Sequence, residues 1–169
     1  MKKELDLSCS YMGLKLKSPL IVGSCGLTYS LDKILKMEEY GAGAVVMKSV
    51  FEEQIIAETS QSLKDLDSDY VHPEALGYIQ NYTEIASYEK YTHFIAEAKK
   101  KVNIPIIASI NCISDGDWVN YAKRMDDAGA DALELNISTL PVDFHHSSAD
   151  YEAQYIRFST HVKESFTIP

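Results

Sequence analysis

The sequence predicts an α/β fold built on parallel strands, and three observations carry that prediction. The chain repeats part of itself: Glu39-Tyr40-Gly41-Ala42-Gly43-Ala44-Val45-Val46-Met47-Lys48 returns as Asp127-Ala128-Gly129-Ala130-Asp131-Ala132-Leu133-Glu134-Leu135-Asn136, 88 positions further on, so Lys48 corresponds to Asn136. Four short apolar runs, Leu20–Ser24, Ala44–Lys48, Ile106–Ile110 and Ala132–Asn136, lack strict alternation, as strands covered on both faces do. Helical patterns separate the runs at spacings that require right-handed crossovers between parallel strands. Repeated strand–helix–strand units favour a (β/α)8 barrel over the other candidate, a flavodoxin-like open sheet. Such barrels take about 250 residues, so 169 residues supply the first four βα units. The expected organisation is one domain over 1–169, with a short N-terminal hairpin in 1–18 and βα units one to four in 19–169.

Taken in order, Leu7–Leu16 alternates as a hairpin turning near Gly13, a plug ahead of Pro19 and the first strand. Leu31, Ile34, Leu35 and Glu38–Tyr40 suit a first helix, stopped by Gly41 in a left-handed conformation. The connection after the second strand, about 49–81, is long enough to be functional. Its acidic run Asp65–Asp69 does not make a calcium loop, because Tyr70 stands at the turn glycine and Leu76 at the bidentate glutamate. Tyr88, Tyr91, Phe94, Ile95 and Ala98 stripe a second helix, whose last turn carries Lys99-Lys100-Lys101 against the helix dipole. Trp118, Tyr121, Ala122 and Met125 stripe a third helix, stopped by Gly129. Tyr151, Tyr155, Ile156 and Phe158 mark a fourth. The closing Thr167-Ile168-Pro169 resembles Asn103-Ile104-Pro105, the lead-in to strand three, and so stands at the threshold of a fifth strand.

The net charge of −9 opposes nucleic acid and anionic membrane surfaces, which places neither among the expected partners. With no secretion signal and no apolar run of about 20 residues, a cytoplasmic location is expected. Cys9, Cys25 and Cys112 are too few and too scattered for a disulfide framework or a zinc finger. Cys25 and Cys112 follow the two matched strands, where core packing is their expected role. His145-His146 reads as an exposed loop pair and His72 as a turn residue. No metal site is expected.

In a barrel the polar residues at the carboxyl ends of the strands face the active-site mouth, and here these are Ser24, Lys48, Asn111 and Asn136. A lysine closing an apolar strand is costly to bury without an anion, which makes Lys48 the leading candidate. Its structural alternative is an ion pair with Glu134 or Glu52. Asn111 and Asn136 offer both donors and acceptors to a flat heterocycle, or they satisfy loop backbone.

Tyr11-Met12-Gly13-Leu14-Lys15-Leu16-Lys17-Ser18-Pro19, then Gly41–Ser49, then Glu134-Leu135-Asn136-Ile137-Ser138 together resemble the N-terminal half of the dihydroorotate dehydrogenases, the soluble class and its relatives in particular. The resemblance implies an FMN barrel that oxidises dihydroorotate to orotate in pyrimidine biosynthesis, with hydride passing to the flavin. It implies that Ser24, Lys48, Asn111 and Asn136 contact FMN, and that Lys48 and Asn136 also contact the substrate. Lys48 would favour an anionic reduced flavin. Asn136 opens the family pattern Asn-x-Ser-(Cys or Ser)-Pro-Asn, which here reads Asn136-Ile137-Ser138-Thr139-Leu140-Pro141. Thr139 therefore takes the slot of the catalytic base, where a hydroxyl is weak. The family loop Asn-x-x-Gly-Leu-x-Asn has no match in His72–Tyr78, and strands five to eight, with the usual phosphate grip, are not in this sequence. The surface left by a half barrel implies a homodimer or a complementary C-terminal half. Two rival readings are a flavin-free lyase or aldolase with Lys48 as Schiff-base lysine, and a non-catalytic half-barrel module that needs a partner.

Overall fold

The structure, a computed structural model, describes residues 5–51, 57, 88–111, 117–137, 140–142, 144–165 and 167–169. The acidic run 65–69, His72, Cys112, Glu52 and Thr139 lie outside the described residues, as does most of the long connection after the second strand. Strands β1 (Cys9–Tyr11) and β2 (Leu14–Leu16) pair antiparallel, with Cys9 opposite Leu16. Met12 and Gly13 turn the hairpin at φ 50° and 82°. Two successive positive φ values match the twist of the flanking strands, which is why a glycine sits there.

The main sheet contains β3 (Ile21–Val22), β4 (Ala44–Val46), β5 (Val50–Phe51), β6 (Ile106–Asn111) and β7 (Ala132–Leu135). Its pairings are parallel: Ile21 with Ala44, Val45 with Ile106, and Ile107 with Ala132. β3, β4, β6 and β7 thus neighbour one another in chain order, whereas a flavodoxin-like sheet places its first strand between the second and third. One expectation needs correction. The second strand does not run unbroken from Ala44 to Lys48; it leaves the ladder at Met47–Ser49 and resumes as β5, with Val50 opposite Ile110 and Phe51 opposite Asn111. The break frees Lys48 and Ser49 from ladder geometry.

Alternation divides the sheet into two faces. Val45, Met47, Ile106, Ala108 and Ile110 join the core beneath the helices, while Ala44, Val46, Ile107 and Ala132 form a second cluster with Leu16. Because Leu16 reaches the first residues of β4 and β7, the hairpin covers the amino ends of the strands and leaves their carboxyl ends clear.

Helices α1 (Leu31–Glu39), α2 (88–101), α3 (Asp117–Asp127) and α4 (Ser148–Ser165) pack on the first face. Ile34 in α1, Tyr88, Tyr91, Ile95 and Ala98 in α2, and Trp118, Tyr121, Ala122 and Met125 in α3 are all buried, as their spacing predicts. α4 departs from expectation: Phe158 and Val162, one turn apart, are its buried residues, while Tyr155 and Ile156 are exposed. Gly41 and Gly129 follow α1 and α3 at φ 97° and 89°, the left-handed stops their positions require. No helix among the described residues is long and apolar enough to cross a membrane.

Asp131 ties three elements together. Its carboxylate accepts from Lys99 Nζ at 2.6 and 2.7 Å and from the Ile106 backbone N–H at 2.7 Å. Asp131→Ala leaves a backbone donor and an ammonium unpaired, an expected loss of about 1–3 kcal/mol. Asp131→Asn keeps an acceptor for Ile106 and is expected to recover part of it in urea unfolding.

At the start of α4 the Ser147 hydroxyl and backbone N–H both donate to Asp150 Oδ2 at 2.7 Å. The hydroxyl first, then the backbone donor, holds the Asp150 carboxyl below its usual range, with His146 adding to the effect. A depressed carboxyl contributes stability that is present above its unfolded value and lost as pH falls through its folded value. The first turn of α4 is therefore expected to fray only below about pH 4, read by the 13Cα shifts of 148–152. Asp150→Asn is expected to weaken the same turn at neutral pH.

Candidate functional site

Alternation carries Asn111 after Ile107 and Ser109, and Asn136 after Ala132 and Glu134, to the face that holds Ala44 and Val46, and the break after β4 turns Lys48 toward the same end. All three residues close parallel strands, so they arrive at one rim. There Ser24, Lys48, Ser49 and Asn136 line a hollow of about 440 Å³, with Cys25, Phe51, Glu134 and Leu135 completing its wall. Asn111 stands behind it, and its amide Nδ2 donates to the Asn136 carbonyl at 2.6 Å. That bond fixes the end of β7 against β6.

Lys48 does not form the ion pair offered as its structural alternative with Glu134, and among the described residues no carboxylate pairs with it. Its ammonium instead lies 5.6 Å from the centroid of the Phe51 ring, a cation–π contact made possible by the return of the chain in β5. The carboxylate of Glu134 is engaged elsewhere, accepting from Ser109 Oγ at 2.7 Å.

Ser109, fully buried, is the centre of a polar chain across the sheet. Ser24 Oγ and Ser49 Oγ are 3.0 Å apart, Ser49 Oγ and Ser109 Oγ 2.7 Å, and the Ser49 N–H donates to Ser24 Oγ at 2.9 Å. Tyr91 braces the chain from α2: its hydroxyl accepts from the Ser109 N–H at 3.3 Å and donates to the Ser109 carbonyl at 3.4 Å. Burial pushes the Tyr91 phenol well above its ordinary range, with the Glu134 carboxylate adding to the rise, so it stays protonated.

Cys25 does not pack in the core as expected. It is exposed at the rim, where its carbonyl accepts from Thr28 Oγ1 at 2.8 Å and starts a short 3-10 turn, Gly26–Tyr29. His145 and His146 are exposed, and the described residues contain no cluster of three metal-ligating side chains. In the sequence Ser49 and Ser109 do not stand out as site residues, and Glu134 reads only as a possible partner for Lys48. The signal that reveals Ser109 and Glu134 is period two: Ser109 stands midway between Ile107 and Asn111, and Glu134 between Ala132 and Asn136.

No family profile matches the chain. Curated proteins do. A protein of Aeropyrum pernix named as a dihydroorotate dehydrogenase A (fumarate) is 32% identical over 82% of this chain and 43% of its own length. The dihydroorotate dehydrogenase B (NAD(+)) catalytic subunit of Methanosarcina mazei is 33% identical over 81% of this chain and 42% of its own. The NAD-dependent dihydropyrimidine dehydrogenase subunit PreA of Escherichia coli K12 is 28% identical over 86% of this chain and 35% of its own. Among solved structures, a dihydrodipicolinate synthetase-type protein of Pseudomonas aeruginosa aligns at TM-score 0.49 and 14% identity, over 89% of this chain and 43% of that one. The chain is thus a relative of the dihydroorotate dehydrogenases over about four fifths of its own length, and it spans about two fifths of the length of the curated relatives it matches.

Proposed function

We propose that this chain is a single domain forming the first half of an FMN-dependent (β/α)8 barrel, and that the whole oxidises dihydroorotate to orotate in the cytoplasm. The observation that carries the reading is Lys48: a cation without a carboxylate partner among the described residues, at the carboxyl ends of parallel strands, facing a hollow shared with Asn136. The half-barrel reading draws support from the β7 edge, where Leu133 N–H donates to the Pro169 carbonyl at 2.9 Å, as Val45 N–H does to Pro105 at 3.1 Å. The Leu133 bond supports reading Thr167–Pro169 as a neighbour of the β7 edge, so that β7 is not open to pair with a second copy at that point.

The donor set suits a flavin. Lys48 supplies positive charge for an anionic ring or carboxylate, Asn136 supplies amide donors and an acceptor, and the Asn111 amide nitrogen braces Asn136 through its carbonyl. FMN, when bound, supplies the hydride acceptor. The residues of this chain orient a flat ligand over the inner face and neutralise charge that develops on it. Thr139 keeps its proposed place as the base from the sequence pattern alone.

The test is titration of the purified chain with FMN, alone and with a complementing half, read by flavin fluorescence. Lys48→Ala is expected to weaken binding by roughly 30-fold or more, as removing one partner of a buried charge contact costs about 2–5 kcal/mol, with thermal unfolding little changed. Equal loss of binding and stability would assign Lys48 a structural role. Absence of flavin binding, with borohydride trapping of a carbonyl compound on Lys48, would favour the lyase.

A further inference from the structure

The polar chain from Ser24 to Glu134 takes one member from each of three apolar runs, and Ser49 from the break between β4 and β5. A carboxylate accepts hydrogen bonds and does not donate, so an ionised Glu134 fixes the direction of every hydroxyl before it. Ser109 donates to Glu134, Ser49 must then donate to Ser109, and Ser24 to Ser49. Ser24 Oγ also accepts from the Ser49 N–H, which leaves it one lone pair at the wall of the hollow. Protonation of Glu134 reverses the sequence: the carboxyl donates to Ser109, Ser109 to Ser49, Ser49 to Ser24, and the Ser24 hydroxyl hydrogen turns outward.

We propose that Ser24, Ser49, Ser109 and Glu134 form a proton relay along the wall of the hollow, with Ser109 buried behind it and Glu134 as its proton store. An N–H or O–H acid at the Ser24 wall loses its proton to Ser24 Oγ. The Ser24 hydroxyl proton moves to Ser49, that of Ser49 to Ser109, and that of Ser109 to Glu134. The net change is one proton from the acid to the carboxylate, with every serine left neutral and no electrons passing along the chain. Ser109 is sealed from solvent and Tyr91 clamps its backbone, so the middle of the relay is dry and fixed. The identity of the acid, a ring N–H of a flavin or a pyrimidine, rests on the proposed function; the relay does not.

The experiment is a pH titration of the full chain by NMR, without ligand, following the Glu134 carboxyl carbon and the Ser49 amide. Lys48 and Cys25 at the hollow and Tyr91 from α2 are the other titratable groups facing Glu134 among the described residues, and burial pushes the Tyr91 phenol up. The Ser49 amide, bonded to Ser24 Oγ, is expected to shift with the same midpoint as Glu134. Ser109→Ala is expected to remove most of that shift while Glu134 still titrates, and Glu134→Gln to abolish it. Ser49→Ala breaks the same chain and keeps the reporting amide, which serves if Ser109→Ala does not fold. A Ser49 amide that ignores Glu134, or that shifts by the same amount in the broken chains, overturns the relay. FMN titration of the same samples separates the two ideas: coupling without flavin binding sinks the flavin reading alone, and flavin binding without coupling sinks the relay alone.

Discussion

Trp118→Ala is expected to cost about 3–5 kcal/mol, a large share of the roughly 5–15 kcal/mol that holds a domain together. Trp118 is 1% exposed. From α3 it stacks on Phe158 of α4 with ring centroids 5.8 Å apart, and Phe158 is one of the two buried residues that hold α4 to the sheet. Truncation therefore opens a cavity at the contact that fastens the last helix, and α4 is expected to detach first. Trp118→Phe provides the contrast. The indole Nε1 is buried with no hydrogen-bond partner among the described residues, so phenylalanine removes an unsatisfied donor and keeps most of the apolar contact. A loss of about 1–2 kcal/mol is expected from the smaller ring. Urea unfolding followed by circular dichroism measures both, because Trp118 is the only tryptophan and its removal takes the fluorescence probe with it.

Both helices in that contact were legible in the sequence, though not equally. α3 shows its buried stripe plainly, since Trp118, Tyr121, Ala122 and Met125 are, with Val119, the apolar and aromatic residues of a short helix. α4 is longer and carries apolar and aromatic residues all round, so Tyr155 and Ile156 looked as well placed as Phe158. Only packing against α3 decides among them. The strands were readable as apolar runs, but the interruption of the second strand at Met47–Ser49 was not, because Val50 and Phe51 look like the beginning of a loop until β6 is present to pair with them.

The rim was legible for a different reason. Lys48, Asn111 and Asn136 stand out as polar residues closing apolar runs, and parallel direction alone brings them together. The serines beneath them do not stand out, because a buried serine costs little once it is bonded and resembles any small residue in a strand. Placing Ser109 on the inner face needs the register that leads from Ile107 to Asn111, and linking it to Ser49 needs the break in β4. A single sequence without coordinates supplies the first of these and not the second.

Gly43→Ala is expected to be the most disruptive added methyl among the described glycines, and the reason lies in how the two repeats differ. Gly43 corresponds to Asp131. In the second repeat the position carries a side chain with two tasks, pairing with Lys99 and accepting from Ile106. In the first there is no room for one: a Cβ on Gly43 would fall on the Ser18 carbonyl oxygen, with the Ser18 carbonyl carbon 3.0 Å away. Neither side can yield easily. Gly43 N–H is held by the Leu20 carbonyl at 2.7 Å, and Ser18 Oγ donates to the Gly41 carbonyl at 2.6 Å. The methyl must push apart the chain entering β3 and the chain entering β4, for an expected loss at or above the upper end of the roughly 1–3 kcal/mol of an overpacked site. Because Ser24 and Ser49 lie just beyond the ends of those two strands, the displacement should also shift the Ser49 amide signal. Gly41→Ala separates this crowding from backbone conformation. Its added Cβ meets no atom within 4 Å but sits on a residue at φ 97°, so it is expected to cost only about 1–2 kcal/mol and to leave the Ser49 amide in place. A Gly43→Ala protein as stable as the Gly41→Ala protein, with that amide unmoved, would show that the two strand entrances are not locked together.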